Sequence, residues 1–132
     1  CQRRQMPLLV EPIPYGWEAG PEFRTPEIIA GGTRTAAECG ADIVKTYYTG
    51  SPDTFKIVVE NCYLPIVILG GPKISNDKEL LEMVRGSVDG GGKGVAIGRN
   101  IFKHRTPGKI TAAIAAILHD DATVDQAMKL LR

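Results

Sequence analysis

The segment Asp42–Gly50, with the sequence Asp-Ile-Val-Lys-Thr-Tyr-Tyr-Thr-Gly, decides how this chain is expected to fold. Its β-branched and aromatic residues are typical of a strand, and its final glycine indicates a turn. Because side chains alternate along a strand, Ile43, Lys45 and Tyr47 lie on one face. Partial loss of water around Lys45 would disfavour the ammonium and leave a neutral amine that can attack a carbonyl. The segment alone also fits a structural lysine whose head group reaches solvent.

The same apolar strand pattern recurs on both sides of this segment, at Pro7–Glu11, Pro65–Leu69 and Gly94–Ile97. Amphipathic helices are predicted between and after these strands, and they start near Thr25, Ser51, Asp77, Thr106 and Thr123. Four successive β/α units predict an α/β protein with a parallel sheet. Strand periodicity does not distinguish a complete doubly wound sheet from half of an eight-stranded barrel. A whole barrel of this kind needs about 250 residues.

The composition narrows the classes of partner. Sixteen basic and fifteen acidic residues among 132 give a net charge of +1, so we expect neither nucleic acid nor a membrane surface as a partner. No apolar run approaches the roughly 20 residues of a membrane-spanning helix. Three cysteines without metal-binding spacing fit reduced thiols, so we expect a cytoplasmic protein without a metal site.

The four strand ends carry the candidate chemistry, because active sites form at the carboxyl ends of parallel strands. They supply the Glu11 carboxylate, the Lys45 amine, a backbone turn at Gly70-Gly71, and Gly98-Arg99. Singly, the glycine pair fits a tight turn and the arginine a surface ion pair. Together, two ends suited to bind an anion beside a candidate nucleophile predict a phosphate site.

Three stretches carry a specific resemblance: Gly40–Thr46, Gly70–Lys73 and Gly94–Phe102. These stretches, in this order, resemble the second half of the archaeal-type class I aldolases. The similarity extends from about residue 7 to residue 132. That group includes fructose-1,6-bisphosphate aldolase, aminodideoxyheptulosonate synthase and the autoinducer-2-type thiolase, with tagatose-bisphosphate aldolase as a more distant relative. The resemblance implies the C-terminal half, strands 5–8, of a TIM (β/α)8 barrel. Residues 1–132 would then be a single segment of a larger barrel domain.

The resemblance also implies roles for individual residues. Lys45 would be the Schiff-base lysine, so that no metal and no further cofactor is needed. The three glycines at 70, 71 and 98, together with Arg99, would hold a substrate phosphate.

The proton donor departs from the archaeal pattern. Where that pattern has Tyr-Pro-Arg-Gly, with the tyrosine as donor, this chain has Ile13-Pro14-Tyr15-Gly16, and Ile13 cannot transfer a proton. Glu11 instead resembles the acid/base glutamate of the tagatose-bisphosphate branch, and Tyr15 is the alternative donor. A purely structural role for both residues also fits. The two histidines follow the last strand, and we expect His104 to be a solvated turn residue and His119 a cation at a helix C-terminus.

The expected activity is reversible cleavage of a phosphorylated ketose, similar to fructose 1,6-bisphosphate, to dihydroxyacetone phosphate and an aldehyde. A lysine-dependent transaldol, heptulosonate or thiolase reaction is the alternative, as is a non-catalytic phosphate-binding half-barrel. Four strands cannot close a barrel, so the inner face with Leu9, Ile43 and Val67 would stay exposed. We therefore expect a missing N-terminal half-barrel or a second copy as a partner, a homo-oligomer, and doubtful activity for the isolated chain.

Overall fold

The structure is a computed structural model that describes residues 1–16, 18–74 and 76–132. Strands and helices alternate along this part of the chain. The strands are β1 (Leu9–Val10), β2 (Ile43–Thr46), β3 (Ile66–Leu69) and β4 (Gly94–Ala96). The helices are α1 (Pro26–Glu38), α2 (Pro52–Glu60), α3 (Asp77–Asp89), α4 (Arg99–Phe102), α5 (Pro107–His119) and α6 (Val124–Lys129), with short 3-10 helices at Gln2–Arg4 and Pro21–Phe23. The predicted β/α repeat is confirmed, but α4 and both 3-10 helices were not foreseen.

The helix starts follow from local hydrogen bonding. Thr25, Ser51 and Thr123 each accept a hydrogen bond from a backbone N–H of the first turn, as the sequence predicted. Ser51 and Thr123 form complete capping boxes, in which a side chain of the first turn also returns to the cap backbone. Thr106 differs, because its hydroxyl makes no capping hydrogen bond to α5. Only the proline at the first helical position marks that start.

All pairings in the four-stranded sheet are parallel, and the strand order is β1-β2-β3-β4. In a doubly wound sheet the order of the strands reverses at a switch point. The four strands of the described chain follow one another in sequence order without such a reversal. Strands that follow one another in chain order, each with a returning helix, are the arrangement of a β/α barrel wall. The register places Lys45 opposite Val67 and Val67 opposite Gly94, so the carboxyl ends of β2, β3 and β4 lie at the same edge.

The core lies between the sheet and the helices. Val44, Thr46, Ile66 and Ile68 point toward the helices and are at most 1% exposed. The alternate positions face the other way and are covered less, because the described chain places no layer on that side. Leu9 in β1 is 44% exposed. The alternation predicted for β2 is therefore confirmed, and the inner face of the sheet is open. The apolar run of β3 predicted cover on both faces, but only alternate residues of β3 are buried.

Candidate functional site

The central contact of the site joins the ends of β1 and β2. The Lys45 Nζ lies 2.7 Å from Glu11 Oε2, and the two side chains are 24% and 28% exposed. The register explains this contact, since Leu9 pairs with Ile43 and Val10 with Val44, which brings residue 11 beside residue 45. The Glu11 carboxylate is therefore within hydrogen-bond reach of the Lys45 head group, the geometry that a proton carrier beside a lysine nucleophile requires.

The Lys45–Glu11 pair opens into a cavity of about 440 Å3 at the carboxyl edge of the sheet. Its lining includes all but one of the residues predicted for the site. The lining residues are Glu11, Arg24, Lys45, Tyr47, Leu69, Gly70, Gly71, Pro72, Ala96, Gly98 and Arg99. Three cationic side chains therefore face one carboxylate, and such a cavity favours an anionic ligand.

The glycines at the end of β3 have different structural reasons. A Cβ at Gly70 would lie 2.6 Å from Ile97 Cγ2, closer than two carbon atoms can pack. Gly71 has φ +59°, in the left-handed region that favours glycine. The backbone at both residues therefore borders the cavity without an intervening side chain, as an anion-binding turn requires.

Asn100 holds this turn in place, although the sequence did not single out its side chain. Asn100 is 3% exposed and lies in α4. Its Nδ2 donates to the carbonyl oxygens of Gly70 at 2.8 Å and Pro72 at 3.2 Å, and its Oδ1 accepts from Ile74 N at 2.6 Å. One buried amide thus ties the loop after β3 to the helix that begins with Arg99.

Arg24 is a second residue that the sequence analysis missed. It precedes the Thr25 helix cap in the β1–α1 connection, and its guanidinium carbon lies 4.4 Å from the centroid of the Tyr47 ring. Its position next to a strong helix start was the only available signal. That signal says nothing about the direction of the side chain.

The structure does not bring Tyr15 to Lys45. Tyr15 is 74% exposed, and its ring packs on Phe23 with 4.6 Å between centroids. Its positive φ of 58° fixes the chain direction in a tight bend. Of the two predicted proton donors, only Glu11 lines the cavity.

The prediction for His104 was wrong. Its side chain is only 10% exposed, and Nε2 lies 3.1 Å from Asp77 Oδ1 at the start of α3. Nδ1 accepts from the backbone N–H of Thr106, the N-cap residue of α5, at 3.0 Å. His104 therefore joins two helices instead of facing solvent. His119 lies exposed in the last turn of α5, as predicted.

Two further properties concern the predicted partners. In the ranges 1–16, 18–74 and 76–132, no three His, Cys, Asp or Glu side chains gather in a way that could hold a metal ion. Over the same ranges, none of the helices has both the length and the apolar character needed to cross a membrane.

Comparison with known families adds independent evidence. Residues 1–104 match the model of the DeoC/LacD family aldolases. The chain belongs to this family. The predicted resemblance is confirmed, and aldolases are found both among the relatives and among the structural neighbours of the chain.

Individual relatives cover most of this chain. An uncharacterised aldolase of Saccharolobus solfataricus is 35% identical over 127 residues, which are 96% of this chain and 47% of the relative. The 2-amino-3,7-dideoxy-D-threo-hept-6-ulosonate synthase of Halobacterium salinarum is 45% identical over 95 residues, 72% of this chain and 36% of the relative. The chain therefore spans about half the length of the first and about a third of the second.

A solved structure gives the same proportion. An archaeal fructose-1,6-bisphosphate aldolase, with its catalytic lysine covalently bound to the carbinolamine intermediate, superposes with a TM-score of 0.81 at 35% identity. The superposition covers 89% of this chain and 47% of that one. The structural neighbours are TIM-barrel aldolases, which confirms the predicted fold of four β/α units of a barrel.

Proposed function

We propose that this chain supplies the Schiff-base half of a barrel aldolase that acts on a phosphorylated ketose. The observation that carries the proposal is the Lys45–Glu11 contact inside a cavity that also contains Gly70, Gly71, Gly98 and Arg99. A nucleophilic amine, a proton carrier and an anion site thus border the same space.

The reaction begins with proton transfer. Glu11 takes a proton from the Lys45 ammonium, and the neutral amine attacks the ketose carbonyl to form a carbinolamine. The Glu11 carboxyl returns the proton to the departing hydroxyl, so that water leaves and an iminium remains. The carboxylate is then ready for a second proton transfer.

The iminium makes carbon–carbon cleavage possible. Glu11 removes the proton of the C4 hydroxyl, the C3–C4 bond breaks, and the electron pair moves into the iminium to give an enamine. The aldehyde leaves. Glu11 then protonates the enamine at C3, and water hydrolyses the new iminium to release dihydroxyacetone phosphate and Lys45. The proposal includes no metal or further cofactor, because the iminium is the electron acceptor.

The anion site orients the ketose. The backbone at Gly70, Gly71 and Gly98, together with the Arg99 guanidinium, would bind the phosphate next to the carbonyl carbon. β2 and β4 are separated by two strand spacings, or about 10 Å. A phosphate bound at the end of β4 therefore leaves the carbonyl carbon within reach of Lys45.

The open inner face supports a larger assembly. We propose that residues 1–132 are a single segment of a barrel domain, completed by an N-terminal half-barrel or by a second copy of this chain. Four further β/α units would cover Leu9 and pair with the free edges of β1 and β4. The free cysteines, Cys1, Cys39 and Cys62, fit a reducing, cytoplasmic location.

A second candidate is heptulosonate synthesis with the same lysine. The 45% identity to the Halobacterium salinarum synthase favours it. Both reactions require a lysine imine and differ in the carbonyl compound that joins or leaves. Substrate profiling separates them, since only the first candidate releases an aldehyde from fructose 1,6-bisphosphate.

Borohydride trapping tests the proposal directly. Reduction in the presence of dihydroxyacetone phosphate should leave a stable adduct on Lys45, located by peptide mass spectrometry. Lys45→Arg should abolish the adduct, and Glu11→Gln should slow its formation. Lys73→Arg is the matched control, because Lys73 lies in the loop after β3 but does not line the cavity. The labelling is done on the completed barrel, and an unmodified Lys45 there, under conditions that label a known Schiff-base aldolase, would refute the function.

A further inference from the structure

We propose that His104 is a positioning residue for the backbone turn at Gly70-Gly71. It acts through Asp77, at the far end of the loop that contains this turn, and complements Asn100, which holds the near end. The inference rests on the proposed function, because it concerns the turn that would bind the substrate phosphate. It makes His104 a residue that controls the affinity for phosphorylated ligands without contacting them.

The loop between β3 and α3 depends on contacts from outside itself. No backbone–backbone hydrogen bond joins residues 70–74 to any described residue. The polar contacts of this loop come instead from side chains of the segment 99–106, which follows β4. Asn100 supplies three of them, to Gly70, Pro72 and Ile74. The position of the turn is therefore set by side chains of a neighbouring segment.

His104 belongs to the same segment and holds the other end of the loop. Its Nε2 lies 3.1 Å from Oδ1 of Asp77, the first residue of α3. Its Nδ1 lies 3.0 Å from the backbone nitrogen of Thr106, which can only donate. Because Nδ1 accepts that hydrogen bond, the hydrogen of a neutral imidazole is on Nε2 and points to the Asp77 carboxylate. His104 is thus oriented to donate to the end of the loop.

A small cavity lies between these two points of contact. Its volume is about 170 Å3, and its lining includes Ile74, Asp77, Asn100 and His104. Closely packed apolar side chains would hold a loop in place even if one polar contact were lost. The described side chains leave room behind this loop, so its position depends on the polar contacts at its two ends.

The segment 99–106 also contains Arg99, which lines the proposed site together with Gly70 and Gly71. A phosphate that binds both to the turn and to the guanidinium requires a fixed separation between them. A loop that is already held at this separation spends little binding free energy on becoming ordered. Loss of the His104–Asp77 contact should therefore weaken phosphate binding, whereas Lys45, on β2, keeps its surroundings.

The experiment uses the completed barrel and measures the ligand concentration that gives half-maximal borohydride labelling of Lys45. The ligands are dihydroxyacetone phosphate and dihydroxyacetone, which differ only in the phosphate. His104→Asn keeps an acceptor near the Thr106 nitrogen but is too short to reach Asp77. It should raise the concentration at least about fivefold for dihydroxyacetone phosphate and less than about twofold for dihydroxyacetone. His104→Gln can place an amide N–H where Nε2 lies, so it should recover most of this loss.

Asp77→Ala removes the other partner of the same contact. It should raise the concentration of dihydroxyacetone phosphate by a factor similar to that of His104→Asn. The double variant should be no weaker than either single variant, because the same contact is lost only once. Factors that multiply in the double variant would overturn the inference.

His119→Asn is the matched control. His119 is the second of the two histidines and lies exposed in the last turn of α5, outside both cavities. This variant should leave both concentrations unchanged. An equal rise for the two ligands in His104→Asn, or no rise, would overturn the inference, while labelling of Lys45 still supports the aldolase function. Absence of labelling with both ligands in the unsubstituted protein would refute both.

Discussion

Asn100→Ala is expected to lower the free energy of unfolding by about 3 kcal/mol. The buried side chain makes three hydrogen bonds, to the carbonyl oxygens of Gly70 and Pro72 and to the N–H of Ile74. Each hydrogen bond contributes about 1 kcal/mol to the free energy of unfolding, because the same groups bond to water in the unfolded chain. Alanine leaves these backbone groups without their partner, and a solvent molecule that enters the gap would recover part of the loss.

The assay is equilibrium unfolding in urea, combined with hydrogen exchange at the Ile74 amide. Exchange of that amide should accelerate more than exchange in α3, because the loop loses its tie to α4 before the whole chain unfolds. Asn100→Asp separates the two sides of the amide. It keeps an acceptor for Ile74 N but places an oxygen against two carbonyl oxygens, so we expect a loss at least as large as with alanine.

Asn61→Ala is the matched control for this series. The Asn61 amide also donates to a backbone carbonyl, Ile57 O at 2.8 Å, but from an exposed position after α2. We expect this variant to lose less than about 0.5 kcal/mol. If the Asn100 and Asn61 variants lose the same small amount, Asn100 does not organise the loop and the reasoning is refuted.

Three further predictions concern stability and ionisation. Thr46 is buried, and its hydroxyl has no hydrogen-bond partner in the described part of the chain, so Thr46→Val should leave the unfolding free energy in urea unchanged or raise it by up to about 1 kcal/mol. Thr33→Val, which removes a buried hydroxyl that donates to a carbonyl at 2.9 Å, should lower it by about 1 kcal/mol, and the opposite order would contradict the assignment. Gly31→Ala should raise the melting temperature, because a Cβ there on the exposed face of α1 meets no other atom. Gly70→Ala should lower the melting temperature and weaken phosphate binding measured by calorimetry, because its Cβ would lie 2.6 Å from Ile97 Cγ2. Burial, together with a nearby aspartate, raises the pKa of Tyr48. The unfolded chain then releases that proton first, so wild type should lose stability relative to Tyr48→Phe as the pH rises from about 10 through the folded-state pKa, as followed by phenolate absorbance and urea unfolding. A constant difference between the two proteins across this range would rule out the shift.

Local patterns in the sequence predicted most of the elements. The helix starts at Thr25, Ser51 and Thr123 depend on a cap residue and its neighbours, so they are visible in the sequence. The turn after β4 was predicted but not its helical form, since a single turn such as α4 has too few residues to show a periodic pattern. His104 was misplaced for another reason. Its burial depends on Asp77, which is far away in the chain but adjacent in the fold.

In the candidate site, too, some residues were visible in the sequence and others depended on contacts between distant segments. The sequence identified Lys45, Glu11 and the glycines because each stands at the end of an apolar strand, where parallel sheets place their chemistry. It offered two proton donors and could not choose between them. The strand register brings residue 11 beside residue 45, whereas Tyr15 lies in solvent, so the structure favours Glu11 as the proposed donor.

The sequence by itself determined a series of β/α units with a lysine at one strand end and glycines at the next two. These features depend on apolar periodicity and turn chemistry, which act between near neighbours in the chain. Only the tertiary structure decided the consecutive strand order, the Asn100 hydrogen bonds and the approach of Arg24 to Tyr47. Long polar side chains can point in many directions at little cost, so the contacts they make are fixed by packing between distant segments.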